Sequence, residues 1–320
     1  MTVEQTKLKD HFLEPETRCG YYISTETKAC WKVMLDMVEE IDRICRKHDI
    51  NYFLIAGSLL GAIRHKGFIP WDDDLDIALF REDYDRLVKV LPKELPSHLF
   101  LQTLITDPEF PTSHICVRDS RTACIHEWAV QGKYRFHMGI FLDIFALDGV
   151  PPSKKTEQRA LKLLGRWLDF QKYRLLRDRK DRRIRECIKW FLYNCVWYLL
   201  GRRVIFRLRE WAFSRFRVGP SHNAECVQEP LYWGYSKNKY RYLARDLRET
   251  MDMPFEYLVL KVPKNYEAVL DRTYGDWHTP VRGGGEHVTL TISPTVDYKT
   301  ILVEKYGYTR DELKGIGNAP

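Results

Sequence analysis

The sequence predicts an α+β protein in which short apolar strands alternate with amphipathic helices and one long helical segment is strongly basic. Apolar residues recur at helical spacing between residues 25 and 48. Short apolar runs at 52–56 and 139–147, bounded by Gly, Pro or Asp, are typical of buried strands. Residues 154–217 carry 20 Lys or Arg against 6 Asp or Glu in long helical stretches. Together these patterns favour a sheet with flanking helices and a basic helical insertion.

The elements follow one another along the chain with recognisable starts and stops. Residues 1–23 show no periodicity and are predicted to form an N-terminal arm. Ser24 is a good N-cap for the helix over 25–48. The remaining predicted elements are a strand over 52–56, a helix over 59–65, a strand over 72–79, a helix over 81–91 stopped by Pro92, a strand pair within 114–125, a strand over 139–147, helices over 154–177 and 182–216, and a helix over 266–274.

Length and composition narrow the class of protein. A chain of 320 residues that is 44% hydrophobic and 30% charged can bury a sizeable core. The polar residues 1–10 do not resemble a signal peptide, and the apolar run at 190–200 is shorter than the roughly 20 residues that span a bilayer. Eight cysteines without a CxxC pair are expected to be reduced thiols. These features argue against a secreted disulfide scaffold or an integral membrane protein, and we expect a cytoplasmic protein.

The run Asp72-Asp73-Asp74-Leu75-Asp76 is the most informative stretch of the sequence. On a strand, Asp72, Asp74 and Asp76 would share one face, whereas Asp73 and Leu75 would point the other way. Crowded carboxylates repel one another, and a divalent cation relieves that repulsion. Their hard oxygen ligands suit Mg²⁺ or Mn²⁺. The alternative interpretation is a solvated acidic strand end.

Gly57 and Ser58 precede these acids and add a second half to the pattern. They lie between a predicted strand and a predicted helix, where backbone N–H groups and a hydroxyl can bind a phosphate. Asp74 follows Ser58 by 16 residues. A phosphate-binding turn combined with metal-binding carboxylates predicts a metal-dependent phosphotransfer site.

The string GSLLGAIRHKGFIPWDDDLDIAL, residues 57–79, resembles the LicD/fukutin-like phosphotransferases, a branch of the nucleotidyltransferase superfamily. The resemblance continues more loosely through HICVRDSRTACI at 114–125, GIFLDIFALDGVP at 139–151 and VPKNYEAVLDRTYGDWHTP at 262–280. It implies a nucleotidyltransferase-like mixed β-sheet core flanked by helices. It also implies transfer of a phospho-alcohol from a CDP-activated donor.

The resemblance assigns catalytic, metal-binding roles to three acids. Asp74 and Asp76 match the paired metal-binding acids of the superfamily, which also asks for a third acid on a neighbouring strand. Asp143 is the natural candidate, because a carboxylate within an apolar strand is costly unless it is paired or metal-bound. Asp148 is its rival, but its position before Gly149 is more typical of a turn.

Five further residues are expected to bind the donor. Gly57 and Ser58 would hold its phosphate, and Arg64 and Lys66 would neutralise developing charge, although both could be ordinary surface cations. Trp71 offers an aromatic face to a quaternary ammonium group such as choline, although core packing explains aromatic residues equally well. Weaker candidates are Arg118 and Arg121 for charge neutralisation, His287 for substrate contact, and the aromatic cluster Tyr232, Trp233 and Tyr235.

The basic segment is open to two interpretations. Arg202, Arg203, Arg207 and Arg209 alternate with apolar residues, as in helices that lie on an anionic membrane. Such contact would suit an acceptor attached to a lipid carrier. A helical lid with solvent-facing arginines is the other interpretation. No RNA-binding motif is visible, and we expect no nucleic-acid partner.

These observations predict a Mg²⁺- or Mn²⁺-dependent phosphotransferase that transfers phosphocholine from CDP-choline and releases CMP. The acceptor is expected to be a hydroxyl of a cell-envelope glycan, such as teichoic acid or lipopolysaccharide, or of its lipid-linked precursor. Choline rests on the resemblance alone, so ethanolamine, glycerol and ribitol donors stay open. So do a nucleotidyltransferase that acts on a small molecule or sugar and releases pyrophosphate, and a non-catalytic glycan- or nucleotide-binding protein.

The expected organisation has four parts. The N-terminal arm, residues 1–23, precedes a nucleotidyltransferase-like catalytic core over 24–152. The basic helical segment covers 153–218, and a C-terminal part over 219–320 packs on the core at the acceptor side. We expect the protein in the cytoplasm, with peripheral contact at the inner face of the cell membrane.

Overall fold

The computed structural model describes residues 9–110, 114–151, 153–175, 184–216, 218, 225–228, 240–281 and 290–317. Its helices are α1 (Thr25–Lys47), α2 (Ala56–His65), α3 (Arg81–Glu94), α4 (Glu127–Gln131), α5 (Lys154–Leu175), α6 (Ile184–Ser214), α7 (Ala244–Arg248), α8 (Tyr266–Tyr274) and α9 (Tyr298–Glu304). Its strands are β1 (Glu16–Arg18), β2 (Tyr21–Ile23), β3 (Phe53–Leu54), β4 (Asp76–Phe80), β5 (Leu99–Gln102), β6 (Ile115–Asp119), β7 (Ala123–His126), β8 (Phe141–Gly149), β9 (Glu225–Gln228), β10 (Arg241–Leu243), β11 (Thr250–Phe255), β12 (Leu258–Pro263) and β13 (Leu290–Ser293).

A mixed sheet centred on β8 forms the core. Along one edge β8 pairs with β4 in parallel, and along the other it pairs antiparallel with β6 over its first half and with β9 over its second half. The sheet continues from β4 to β3, from β6 to β5 and from β9 to β10. Helices pack around this sheet, so the predicted α+β fold with a mixed-sheet core and flanking helices is confirmed.

The helix α1 illustrates how local sequence builds the core. The hydroxyl of Ser24 accepts a hydrogen bond of 3.1 Å from the Thr27 N–H and caps the helix, as predicted. One face buries Trp31, Leu35 and Ile41 almost completely, and each such side chain contributes about 1.5–3 kcal/mol of stability. The predicted helix over 25–48 therefore agrees with the structure to within one residue.

Three predicted boundaries in the next part of the chain are wrong. The helix α2 begins at Ala56 rather than at residue 59, and β4 begins at Asp76 rather than at Asp72. The Ile55 N–H donates to the carbonyl of Asp76, which ties the start of α2 to the start of β4. Pro92 does not stop α3, because it lies in the last turn, where its missing N–H costs one backbone hydrogen bond.

The predicted strand pair within 114–125 exists as two strands that do not pair with each other. Strand β6 joins the main sheet, whereas β7 pairs with β13. The N-terminal region also carries structure, since β1 and β2 form a hairpin. Arg18 of this hairpin donates to the Glu256 carboxylate at 2.8 Å. The division of the chain into four parts stays a prediction.

The basic segment contains the two helices that were predicted. Phe170 of α5 packs against the rings of Tyr193 and Trp197 of α6. Gly201 interrupts the helical geometry of α6 with a φ of 74°. The predicted ends of these helices at residues 177 and 182 lie outside the described residues.

The structure gives the state of the cysteines and the length of the apolar helices. All eight cysteines lie in described segments, and each is a free thiol. Among the residues that the structure describes, no helix is both long enough and apolar enough to cross a membrane.

Candidate active site

A row of polar side chains crosses the central strands of the sheet. Asp76 on β4 pairs with Asp143 on β8, and Asp143 pairs in turn with Cys116 on β6. Gln102 on β5 pairs with Cys116 and extends the row. Directly paired residues share one face of a sheet. The pairing therefore places Asp76 beside Asp143, as expected for acids on neighbouring strands.

Asp76 is held by the first turn of α2. The Ser58 hydroxyl accepts a hydrogen bond of 2.8 Å from the Asp76 N–H, and the Asp76 carbonyl accepts one from Ile55. Burial raises the pKa of Asp76 well above its ordinary value, and the negative charges of Asp74 and Asp143 raise it further. The site thus disfavours a bare carboxylate at Asp76 and favours a bound proton or cation.

Asp143 has different neighbours and the opposite pKa shift. Its Oδ1 lies 3.2 Å from His114 Nε2 and accepts a hydrogen bond of 2.8 Å from Cys116 Sγ. Burial alone would raise the pKa of Asp143, but His114 and Cys116 outweigh burial and lower it. Burial would lower the pKa of His114, yet Asp143 raises it well above its ordinary value. Our sequence reasoning missed His114 and Cys116, although their alternation in HICV indicates one strand face.

The three acids before β4 form a second cluster. The prediction that strand alternation places Asp72 and Asp74 on one face is wrong, because both precede the strand. Even so, the carboxylate oxygens of Asp72, Asp73 and Asp74 lie within 4.8 Å of one another. Burial raises the pKa of Asp72 to about 8, with further contributions from Asp74 and Asp73. An irregular segment therefore gathers these acids beside the polar row of the sheet.

Gly57 lies directly against this second cluster. A Cβ atom at Gly57 would be only 2.7 Å from Asp72 Oδ2. The preceding residue, Ala56, has a φ of 51°, in the left-handed region that non-glycine residues rarely adopt. The turn into α2 thus approaches Asp72 through Gly57 and Asp76 through Ser58. Binding of a donor phosphate by Gly57 and Ser58 stays a prediction.

The predicted cations Arg64 and Lys66 occupy the end of α2. Arg64 Nη1 donates to the carbonyl of Trp277 at 2.9 Å, and its Nε donates to His65 Nε2 at 2.9 Å. Lys66 is exposed and adopts a left-handed conformation, with a φ of 55°, at the C-cap of α2. Charge neutralisation by these two residues stays a prediction.

The weaker cation candidates have structural contacts. Arg118 is buried and donates to the side chain of Gln102 and to the carbonyl of Gly139. Arg121 pairs with Asp119 at 2.6 Å. Both guanidinium groups thus stabilise the neighbourhood of β6.

Asp148 is not a turn residue, contrary to the sequence interpretation. It lies within β8, buried, and Arg81 binds both of its carboxylate oxygens at 2.8 and 2.5 Å. Arg81 also donates to Glu210 of α6 at 2.7 Å. Asp148 lies five residues along β8 from Asp143 and forms a buried ion pair, which removes it as the rival third acid.

A cleft of about 670 Å³ opens beside the second acidic cluster. Asp72 and Asp73 line it together with the aromatic residues Tyr21, Trp31 and Trp71. The rings of Trp71 and Tyr21 meet edge to face, with centroids 6.1 Å apart. Aromatic faces beside carboxylates suit a cationic ligand. Trp71 therefore lines, together with Asp72 and Asp73, a cleft that has aromatic and acidic side chains. Contact between Trp71 and choline stays a prediction.

Two tyrosines that our sequence reasoning missed border the acids. Burial raises the pKa of Tyr240, and Asp76 raises it further. Tyr274, at the end of α8, has a pKa raised by burial and by its neighbours, Asp72 among them. The remaining weaker candidates, His287 and the cluster Tyr232, Trp233 and Tyr235, lie outside the described residues.

Comparison with known proteins finds a family match over part of this chain. Residues 49–138 match the family described as LicD/FKTN/FKRP, nucleotidyltransferase domain. The resemblance to the LicD/fukutin-like family is confirmed. The matched residues contain Gly57, Ser58, Asp76 and Cys116, whereas Asp143 follows them.

Curated relatives share parts of their length with this chain. Lipopolysaccharide cholinephosphotransferase LicD of Haemophilus influenzae is 37% identical over 124 residues, which are 38% of this chain and 44% of that protein. An uncharacterized protein of Rickettsia prowazekii is 40% identical over 60 residues, 19% of this chain and 23% of that protein. Ribitol 5-phosphate transferase FKRP of Homo sapiens is 35% identical over 54 residues, 17% of this chain and 11% of that protein. The chain thus covers less than half of each.

Proposed function

We propose that this chain is a Mg²⁺-dependent phosphotransferase that moves phosphocholine from CDP-choline to a hydroxyl of a cell-envelope glycan or its lipid-linked precursor. The observation that carries the proposal is the pairing of Asp76 with Asp143 on parallel strands, beside the acids of residues 72–74. The names of two relatives, a cholinephosphotransferase and a ribitol 5-phosphate transferase, support a phospho-alcohol as the transferred group. Action in the cytoplasm, at the inner face of the cell membrane, belongs to the same proposal.

The donor set fits a divalent cation. Asp74, Asp76 and Asp143 offer carboxylate oxygens, the hard ligands that Mg²⁺ and Mn²⁺ prefer. Burial penalises a bare carboxylate at Asp76, so a cation would relieve a cost that the fold itself creates. Mg²⁺ held there would neutralise charge on the donor pyrophosphate. His114 and Cys116 would orient the Asp143 carboxylate, as outer contacts of metal sites do.

The chemistry is an in-line displacement at the phosphorus that bears choline. The acceptor oxygen forms a bond to that phosphorus, and the bridging P–O bond breaks as CMP leaves with the electron pair. The acceptor proton passes to a carboxylate at this edge of the sheet. The N-terminus of α2 carries the positive end of the helix dipole, which can stabilise phosphate charge. Gly57 and Ser58 of this first turn lie next to Asp72 and Asp76, respectively.

The cleft beside Asp72 supports the proposal of a choline donor rather than a neutral polyol. A trimethylammonium group cannot donate hydrogen bonds, so aromatic faces and nearby negative charge are what recognise it. Trp71 and Tyr21 supply the rings, and Asp73 and Glu26 add carboxylates to the lining. Ribitol or glycerol would offer hydroxyl donors to these carboxylates but no positive charge to the aromatic rings.

A donor panel tests the reaction. Purified protein with Mg²⁺ and total envelope glycolipid is offered CDP-choline, CDP-ethanolamine, CDP-glycerol, CDP-ribitol or CTP, and released CMP and pyrophosphate are measured. We expect CMP, released fastest from CDP-choline. Pyrophosphate from CTP would instead support a nucleotidyltransferase acting on a small molecule or sugar. No turnover of any donor would support a non-catalytic glycan- or nucleotide-binding protein.

The variant Asp76→Asn tests the site within the same panel. It removes one metal-binding carboxylate, so we expect CMP release to fall by a factor on the order of 100. Thermal stability should be kept, because a neutral amide avoids the burial cost of the Asp76 carboxylate. Asp311→Asn, which changes a carboxylate that is 82% exposed, is the matched control. Full activity of Asp76→Asn would contradict the assignment.

A further inference from the structure

The first half of α6 exposes a continuous apolar surface. Its side chains recur three, four or seven positions apart and therefore lie on one side of the helix. This surface, the exposed stripe, consists of Ile184 (80% exposed), Ile188 (53%), Phe191 (61%), Leu192 (55%), Tyr198 (81%) and Leu199 (83%). Scattered apolar residues are normal on a soluble protein, but a contiguous patch of this kind marks an interaction site.

The exposed stripe faces away from the rest of the fold. Tyr193 and Trp197, on the opposite side of α6, pack against Phe170 of α5. Beyond the break at Gly201, Ile205 is buried in the same small cluster. The stripe is therefore not the face by which α6 packs against α5.

The segment that contains the exposed stripe is strongly basic. The segment 154–217 has a net charge of +14, which leaves −7 for the rest of a chain whose total is +7. Arg185, Arg203 and Arg207 of α6 are exposed. Large apolar side chains, with Arg185 beside them and Arg203 and Arg207 beyond the break at Gly201, match an interfacial segment that binds anionic lipids.

We propose that the exposed stripe of α6 docks in the headgroup region of an anionic membrane. Charge complementarity selects this occupant, because an anionic surface attracts a segment of net charge +14 whereas a second copy of the same segment would repel it. Residues 184–200 rise about 25 Å as a helix, less than the roughly 30 Å of a bilayer core, so the helix lies along the surface.

This docking would position the acidic site relative to the membrane. Glu210 of α6 pairs with Arg81, and Arg81 binds Asp148 on β8, the strand that also carries Asp143. A membrane-bound α6 is thus linked to the central strand of the core through two ion pairs that share the buried Arg81. The inference deepens the proposed location at the inner face of the cell membrane and is independent of donor and acceptor, so the donor panel and a vesicle-binding test can fail separately.

Vesicle co-sedimentation tests the docking. The protein is mixed with vesicles of phosphatidylcholine alone or of equal parts phosphatidylcholine and phosphatidylglycerol. We expect it to sediment with the anionic vesicles only, and less so at high salt. The double variant Tyr198→Glu/Leu199→Glu should lower binding about tenfold or more, because it adds charge to the lipid-facing side. Val259→Glu/Val281→Glu, which changes two exposed valines outside α6, is the matched control.

Further arms make the test decisive. Arg203→Gln/Arg207→Gln should lower binding to anionic vesicles by about tenfold, since each basic residue adds to the attraction. Circular dichroism checks that every variant is folded. Equal vesicle binding by the stripe variant and its control would overturn the proposal. So would equal binding to both vesicle types, or a dimer in solution that Tyr198→Glu/Leu199→Glu converts to a monomer while the wild type ignores vesicles.

Discussion

Two aspartates on neighbouring strands have opposite pKa shifts because their immediate neighbours differ. Burial raises the pKa of Asp76, and Asp74 and Asp143 add to the effect. Asp143 is half-buried, which alone would raise its pKa, but His114 and Cys116 stabilise its charged form and lower its pKa. Single contacts thus shift the pKa values of two aspartates that pair across adjacent strands in opposite directions.

Asp107 shows the same principle outside the candidate site and gives a prediction for pH. Burial raises its pKa from 3.8 to about 6, although the His137 N–H and the Gln102 side-chain amide donate to it at 2.6 and 2.8 Å. A pKa raised by folding means that the folded state binds this proton more tightly. The contribution of Asp107 to stability is therefore present at low pH and is lost as pH rises through about 6.

Asp107→Asn keeps an acceptor oxygen and stays neutral. Relative to wild type, we expect it to gain up to about 2 kcal/mol in free energy of unfolding between pH 4 and pH 7. Urea unfolding at several pH values measures the difference. A constant difference across this range would show that Asp107 does not titrate between the folded and unfolded states.

The two halves of strand β8 contribute aspartates with different structural roles. Its first half carries Asp143 into the polar row, and its second half carries Asp148 into a buried ion pair with Arg81. Arg81 begins α3 and also binds Glu210 of α6. One guanidinium group therefore joins the sheet, a flanking helix and the basic helical segment.

Removal of Arg81 should be costly because it leaves buried negative charge without a partner. We expect Arg81→Met to lower the free energy of unfolding by about 3–5 kcal/mol, and Arg81→Met/Asp148→Leu to recover part of that loss. Chemical denaturation of the single and double variants measures the coupling. Arg86→Met, which removes an exposed cation paired with Asp83, is the control and should change stability by about 1 kcal/mol or less. Equal effects of Arg81→Met and Arg86→Met would contradict this role.

At the scale of the whole molecule, charge is divided between two regions. The segment 154–217 carries +14 and the remainder carries −7. Within the remainder, five aspartates lie close together at the starts of the central strands β4 and β8, namely Asp72, Asp73, Asp74, Asp76 and Asp143. The charge distribution thus separates the proposed cation site from the proposed membrane-binding surface.

A cation that binds only the folded acidic site must stabilise the whole fold. At a concentration 100 times its Kd, Mn²⁺ or Mg²⁺ should contribute about 2.7 kcal/mol, which raises the Tm by a few degrees in a chain of this size. EDTA should reverse the shift. Differential scanning fluorimetry measures it, with Asp74→Asn expected to abolish most of the shift and Asp311→Asn to keep it. The same metal-induced shift in both variants would place the cation elsewhere.

The sequence alone determined the features that depend on residues close together in the chain. The helix over 25–48 and the helix over 266–274 follow from local periodicity, and both match the structure to within one residue. The acids near Asp74 and the turn at Gly57 could likewise be found from one short string. The strand over 72–79 was wrong at its start, because alternation cannot show that Ile55 pairs with Asp76 and that the strand begins there.

Only the tertiary structure decided which distant residues meet. The contact of His114 and Cys116 with Asp143 depends on the register of β6 against β8. The pairing of Asp148 with Arg81 joins residues 67 positions apart. Local sequence does not specify strand order. Asp148, which precedes Gly149, was therefore interpreted as a turn residue, whereas the sheet places it beside the buried Arg81. The sequence therefore supplied the chemical groups of the site, and strand pairing determined their neighbours and their charge.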